Sequence, residues 1–282
     1  REGELFLFDS GEGTQVSLRK LNLKWKKISA IFISHTHADH VTGLPGILML
    51  SSQVERDEPL YIFGPPRIKE YVEMNKKVLD MYINYEIIVK EITGPEVVYK
   101  GDGFIINAFP LKHTKPCIGY SLVEEDRSGI FYPEKAILHK VPMGPLWSEL
   151  QKGNNILLDN GDTVFASDVM GDQRSGRKVS FITDTQYFSE ISDFVKDSDL
   201  LICEGMFKSD LEESALKKRH MTSAQAGRIS SDAGGVKKLG LIHYSPRYTK
   251  YELIGLLEEA KAIFPNTFLT KDGQQIEIPY ID

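Results

Sequence analysis

The chain has 282 residues, 41% of them hydrophobic, and its 34 Lys and Arg against 40 Asp and Glu leave a formal net charge of −6. A surplus of acid argues against a general nucleic-acid coat protein, whose sequence-independent hold on phosphates comes from many Lys and Arg side chains, but it leaves room for a local basic patch. The length fits one large domain or two smaller ones. No apolar run approaches the roughly 18 residues that span a bilayer, and the two cysteines, Cys117 and Cys203, exclude a disulfide framework. The expected compartment is the cytoplasm.

The first residue is Arg1 and a strand is already under way at Leu5–Asp9, so some N-terminal sequence is expected to be missing. Further strands are expected at Ala30–Ser34 and Leu60–Phe63, a helix over Pro66–Leu79, then strands at Phe104–Phe109 and Gly119–Glu124, each bounded by polar or turn residues. From about Glu125 to Arg177 the rhythm breaks. Gly, Pro, Lys and Asp dominate, Pro142-Met143-Gly144-Pro145 precedes a short helical signal, and Asp159-Asn160-Gly161-Asp162 reads as a turn. A segment of this kind is expected to protrude from the domain, since loops this long are usually functional or disordered. Regular alternation then resumes with strands at Val179–Thr183 and Leu200–Glu204, a helix at Thr222–Ala233 and a strand at Leu239–His243. In Tyr248–Phe264, Leu253, Leu256, Leu257, Ala260 and Ile263 recur at spacings of three and four, the pattern of an amphipathic helix stopped by Pro265. With no internal repeat or linker, the chain reads as a single α/β domain.

Three of the seven histidines fall in His35-Thr36-His37-Ala38-Asp39-His40, directly after an apolar strand. Imidazole and carboxylate are the usual protein ligands for zinc and similar first-row ions, and a turn at a strand end can aim alternate side chains at one point. A lone His is more often packed or solvated than a ligand. Four potential ligands in six positions are different, because burying them unpaired would be costly.

His-x-His-x-Asp-His after a strand resembles the signature of the metallo-β-lactamase superfamily, which implies an αββα sandwich with a two-metal site at one sheet edge. By that resemblance His35, His37, His113 and Asp184 hold one metal and Asp39, His40, Asp184 and His243 the other, with Asp184 bridging. More specific stretches resemble ribonuclease Z (tRNase Z): Leu7-Phe8-Asp9-Ser10-Gly11-Glu12-Gly13-Thr14-Gln15, His113 with Gly119-Tyr120, Asp184-Thr185, Cys203-Glu204-Gly205-Met206-Phe207, His220-Met221-Thr222-Ser223-Ala224-Gln225-Ala226 and His243-Tyr244-Ser245-Pro246-Arg247-Tyr248, in the family's order. Val141-Pro142-Met143-Gly144-Pro145-Leu146 is similar to the Gly-Pro motif in the flexible arm with which the bacterial enzymes grip tRNA. Two departures stand out: a strand and Gly-rich turn that usually precede the Asp9 motif are absent, and Cys203-Glu204-Gly205 replaces the commoner His-Glu-Ala.

The resemblance implies a zinc-dependent endoribonuclease that removes the 3′ trailer from precursor tRNA, with two zinc ions per chain, or other divalent ions such as Mn2+. Two metals roughly 3.5–4 Å apart can hold a hydroxide between them, act as Lewis acids on the phosphate and lower the pKa of water to near 7. Asp39 would orient that water or accept its proton. His220 would protonate the departing 3′ oxygen, with Glu204 orienting or charging it, a role that contributes roughly 10²–10⁴-fold. Asp9 is expected to support the ligands from behind. Gly144 and Pro145 in the arm (125–177) and Ser245 and Arg247 past His243 are expected to meet the RNA, and the family's arm implies a homodimer.

Two other functions fit parts of the pattern. A hydrolase of small phosphodiesters, sulfate esters or lactones would keep the metals without the arm's role. A structural metal in an RNA-binding module would be closed by four ligands, whereas seven candidates imply two metals with open positions. The overall charge also hides local cations: Arg19, Lys20, Lys24, Lys26 and Lys27 crowd one segment, Arg174, Arg177 and Lys178 lie at the arm's base, and Lys217, Lys218 and Arg219 precede His220.

Overall fold

The computed structural model describes residues 3–54 and 56–280. The chain forms two compact units, one of residues 1–123 and 178–278 and one of residues 124–177 and 279–282. Its strands are β1 Leu5–Phe8, β2 Ile28–Phe32, β3 Leu60–Gly64, β4 Ile87–Glu91, β5 Glu96–Gly101, β6 Phe104–Lys112, β7 Pro116–Glu124, β8 Ile156–Leu157, β9 Thr163–Val164, β10 Lys178–Ile182, β11 Leu200–Glu204, β12 Leu239–Ile242 and β13 Thr267–Leu269.

In the larger unit β1-β2-β3-β4 make one sheet, parallel throughout. The other sheet runs β13-β12-β11-β10-β7-β6-β5; β10 to β13 are parallel to one another, and β7 pairs with β10 antiparallel. Residues along a strand point alternately to its two faces, and β2 shows what that does here. Ile31, and Ile33 just past its end, pack with Leu44, Ile47, Leu48, Ile68 and Val72 from helices Leu44–Gln53 and Ile68–Val78. Ala30 and Phe32 instead meet Phe104, Ile106, Ala108, Ile118 and Tyr120 of the second sheet, so this cluster lies between the sheets. The outer face of the second sheet is covered by helices Glu190–Val195, Ser223–Ala233 and Leu253–Ile263, through Ile191, Val195, Ala226, Ile229 and Ala260 against Leu201, Cys203, Leu239 and Leu241. Three apolar layers between four layers of structure make the αββα sandwich expected from the histidine signature.

The smaller unit has its own core: Ala136, Val141, Leu150, Ile156, Val164, Ala166 and Val169, with Trp147 and Phe131 packed against them. It contains helices Pro133–Leu138 and Pro145–Gln151 and the β8–β9 hairpin. At its base the Arg177 guanidinium donates to both carboxylate oxygens of Glu124, at 2.8 and 2.6 Å, and lies 4.1 Å from the Tyr280 ring centre. Two expectations are corrected here, one about charge and one about a helix boundary. Arg177, Arg174 and Lys178 form no free basic patch: Arg177 is taken by Glu124, Arg174 Nε donates to the Ser128 carbonyl, and Lys178 Nζ donates to the carbonyls of Phe194 and Lys196. The last helix begins at Leu253 rather than near Tyr248, because the Glu252 side chain accepts from Thr249 N and Oγ1 and holds the preceding residues in a turn.

Candidate metal centre

The parallel strands deliver their C-terminal ends to one edge of the sandwich, and the candidate ligands sit in the turns that leave them. His35 follows β2 by three residues and is fully buried, His37 precedes the one-turn helix Ala38–Val41 in extended conformation, and His40 lies within that helix. His113 occupies the β6–β7 turn, Asp184 follows β10, and His243 follows β12 with φ +60°. Positive φ is uncommon for a residue with a side chain, and such strain clusters at functional sites.

Asp184 faces both halves of this array. Its Oδ2 lies 3.6 Å from His35 Nε2 and 3.7 Å from His113 Nε2, whereas its Oδ1 lies 3.5 Å from His40 Nε2 and 3.3 Å from His243 Nε2. His37 Nδ1 completes the first half, 2.8 Å from His35 Nε2 and 3.3 Å from His113 Nε2. Asp39 Oδ2 completes the second, 3.4 Å from His40 Nε2 and 3.5 Å from His243 Nε2. Ligand atoms held roughly 2.0–2.2 Å from a tetrahedral zinc are roughly 3.3–3.6 Å apart. Most of these separations approach that edge and exceed the usual hydrogen-bond length. The ligand atoms of His35, His37, His113 and Asp184 lie within 4.8 Å of one another, and so do those of Asp39, His40 and His243.

The donor chemistry fits a cation as well. His40 Nε2 is buried with no hydrogen-bond partner among the described residues, although its ring is well anchored on the other side. Asp9, itself at φ +57°, accepts from His40 Nδ1 at 2.7 Å, from Ser34 N at 2.6 Å and from Ser34 Oγ at 2.8 Å. Ser34 Oγ lies 3.0 Å from His35 Nδ1, and His113 Nδ1 lies 2.9 Å from the Arg219 carbonyl. Each of these rings therefore turns one nitrogen to the protein and the other to the cluster, the arrangement by which partners behind metal-ligating histidines orient them. Gly11 lets the Asp9 turn approach: a Cβ there would stand 2.1 Å from the Asp39 carbonyl oxygen.

Charge is partitioned across the array. Burial, followed by the charge of His40, pushes His35 down to about 2, and burial also lowers His37 and His113. For His40 burial acts in the same sense, but Asp9 with Asp184 and Asp39 outweighs it and pushes the group up to about 9.

 His220 is a buried residue that follows helix Glu212–Lys218, and its ring centre lies 4.9 Å from that of His113 and 5.4 Å from that of His243. Burial pushes it down to about 4. Its Nδ1 is 3.2 Å from each carboxylate oxygen of Glu204, a fully buried group that also accepts from Thr185 N at 2.6 Å and from Met221 N at 3.2 Å. Burial, followed by the charge of Asp184, pushes Glu204 up.

The remaining sequence candidates fall into two places. Ser245 is buried, Arg247 Nε donates to its hydroxyl at 3.2 Å, and the guanidinium lies 5.1 Å from the ring centre of Phe207, itself 6.3 Å from the His220 ring. Gly144 and Pro145 lie in the smaller unit, where Gly144 at φ +138° starts helix Pro145–Gln151 and Met143 beside it is 78% exposed. Sequence reasoning passed over Ser34, Thr185 and the backbone of Arg219. Ser34, between the β2 strand and the first His, was the one with a local signal.

A curated ribonuclease Z from Treponema denticola is 60% identical over 282 residues, covering 100% of this chain and 91% of its own. The chain belongs to the ribonuclease Z family. A second ribonuclease Z, from Borrelia hermsii, is 44% identical and covers 98% of the chain and 88% of its own length. Residues 147–244 match a family model described as a beta-lactamase superfamily domain, and residues 1–132 one described as anti-Pycsar protein Apyc1. The crystal structure of human tRNase Z, short form, covers 99% of the chain and 90% of its own with a TM-score of 0.70 at 24% identity. A metallo-β-lactamase fold protein from Bacillus subtilis superposes with a TM-score of 0.65 at 20% identity, covering 97% of the chain and 87% of its own. Both show the ribonuclease Z chain's metallo-β-lactamase fold. No helix among the described residues is long and apolar enough to cross a membrane.

Proposed function

We propose that this ribonuclease Z family member, a hydrolytic endoribonuclease, removes the 3′ trailer from precursor tRNA with two divalent ions, zinc in the first instance, held by the two halves that Asp184 joins. The observation that carries the metal reading is the division of one carboxylate between two sets of ligand atoms: Oδ2 faces His35 and His113, with His37 beside them, and Oδ1 faces His40 and His243, with Asp39 beside those. Bound there, such ions supply Lewis acidity toward the phosphate and make hydroxide available at neutral pH.

The chain's own residues do the rest. Asp39, with its side chain 58% exposed, is the ligand open to solvent and is placed to orient the attacking water or take its proton. Glu204 and His220 share a proton between groups 3.2 Å apart, burial opposing the charged form of each. His220 Nδ1 is committed to Glu204, which leaves Nε2 to give the proton to the departing 3′ oxygen, so that tRNA keeps a 3′-hydroxyl. Ser245 and Arg247, which are joined to each other beside Phe207, are placed to meet a flanking phosphate.

The arm at 125–177, inserted in a single metallo-β-lactamase-like domain, presents Gly144 and Pro145 to the RNA, and the enzyme works as a cytoplasmic homodimer. The test is cleavage of precursor tRNA by metal-loaded wild type, with product ends mapped. Intact precursor in the presence of folded, metallated protein refutes the function.

A further inference from the structure

We propose that Arg219 is a positioning residue that ties the metal-holding half of the site to its acid, so that cation binding at His113 and the placement of His220 are set together. The inference rests on the roles given above to His113 and His220.

Two reciprocal hydrogen bonds carry it. The Arg219 guanidinium donates to the His113 carbonyl at 2.7 Å, and His113 Nδ1 lies 2.9 Å from the Arg219 carbonyl, across 106 positions of sequence. With its carbonyl as acceptor, His113 carries its proton on Nδ1 and keeps Nε2 free for the cluster. Arg219 reaches this geometry at φ +57°, closing helix Glu212–Lys218 in the left-handed conformation, and the next residue is His220.

The contacts continue into a closed ring. His220 meets Glu204 at 3.2 Å, Glu204 accepts from Thr185 N at 2.6 Å, and Thr185 Oγ1 accepts from Lys112 N at 3.0 Å, one residue before His113. Thr185 also adjoins Asp184. The ring thus passes beside two ligands of the first half and through both members of the acid pair, and Arg219 enters it twice, through its guanidinium and through its carbonyl. Sequence charge groups Arg219 with Lys217 and Lys218 as a patch for RNA; its guanidinium is instead turned onto the protein.

The experiment compares wild type, Arg219→Gly and Arg219→Met for zinc affinity, by competition with a chromophoric chelator, and for kcat and KM on precursor tRNA across pH. Glycine accepts the positive φ and keeps the carbonyl that meets His113, so this variant removes the whole side chain, guanidinium and stem, and leaves the backbone partner of the His113 ring in the chain. Outer partners of ligating histidines contribute roughly 10–100-fold in metal affinity or activity. Both variants keep the carbonyl partner of the His113 ring and lose only the bond that holds it in place, so the expected result is zinc held up to roughly 10-fold less tightly, the lower end of that range, with a lower kcat, a displaced pH profile and KM little changed. Arg219→Met keeps the stem and carries the same measurement if the glycine variant does not fold. Zinc affinity equal to wild type, with the loss confined to KM and to its salt dependence, overturns the proposal and makes Arg219 a phosphate contact. Wild type that fails to cut precursor tRNA sinks the function instead, and the zinc titration still judges Arg219.

Discussion

Replacing Asp9 by Asn tests how the site is held from behind. Asp9 has three donors to satisfy: Oδ1 takes Ser34 N at 2.6 Å, and Oδ2 takes Ser34 Oγ at 2.8 Å and His40 Nδ1 at 2.7 Å. Asparagine has the same shape and tolerates the left-handed backbone at φ +57°. It offers one acceptor oxygen, and its amide nitrogen is a donor. Whichever way the amide is turned, either the Ser34 N–H or the His40 Nδ1–H faces another donor. A buried donor left unsatisfied costs about 1–3 kcal/mol. If His40 escapes by moving its proton to Nε2, the nitrogen that faces Asp184 is no longer available to a cation. A cost of about 1.4 kcal/mol is tenfold in an equilibrium, so the second zinc equivalent should bind roughly 10–100-fold less tightly, in line with other partners behind ligating histidines. Chelator competition resolves the two equivalents, and melting of the metal-free protein reports the structural part. Two equivalents bound as tightly as in wild type would refute the reasoning that Asp9 sets the His40 tautomer.

Four further outcomes follow from particular contacts. His37→Ala removes a ligand from the first half and should abolish precursor cleavage while lowering metal content by about one equivalent per chain, as read by elemental analysis. Gly11→Ala puts a Cβ 2.1 Å from the Asp39 carbonyl, and the resulting shift of the Asp39 turn should lower kcat more than it lowers the melting temperature. Removing residues 142–146 should raise KM for precursor tRNA and leave hydrolysis of a small aryl phosphodiester unchanged; equal loss of both would count against an RNA-gripping arm. Arg177 pushes Glu124 down to about 2. Its contribution, about 1.5–3 kcal/mol for a charge-assisted hydrogen bond, is therefore complete above the ordinary carboxylate range and is lost as pH falls toward 2. Hydrogen exchange in residues 124–177 should rise over that window in wild type and be already high, and flat, in Glu124→Gln.

Much of the fold is legible because burial writes periodicity. Ile31 and Ile33 face one way and Ala30 and Phe32 the other, and both sets are apolar because β2 is covered on both faces. Elements with weaker patterns escaped. β4 at Ile87–Glu91 and β13 at Thr267–Leu269 are short or half-exposed, and the one-turn helix Ala38–Val41 has no room for a period. At the arm, composition marks a departure from the domain, but only packing shows that Trp147, Leu150 and Val169 make a separate core.

What the sequence by itself determined is the ligand chemistry. His35, His37, Asp39 and His40 stand so close in the chain that any turn after β2 must bring them together, and their identity already names the metal-binding class. Only the tertiary structure decided how the net charge of −6 is distributed and which groups support the ligands. Arg177 and Arg219 count as cations in the sequence yet spend their guanidinium groups on Glu124 and on the His113 carbonyl. Asp9 meets His40 across 31 positions of sequence, Glu204 meets His220 across 16 and Thr185 meets Glu204 across 19, through hydrogen bonds that impose no spacing on the chain. Contacts of that kind are set by where strand ends converge, and a period in the sequence cannot record them.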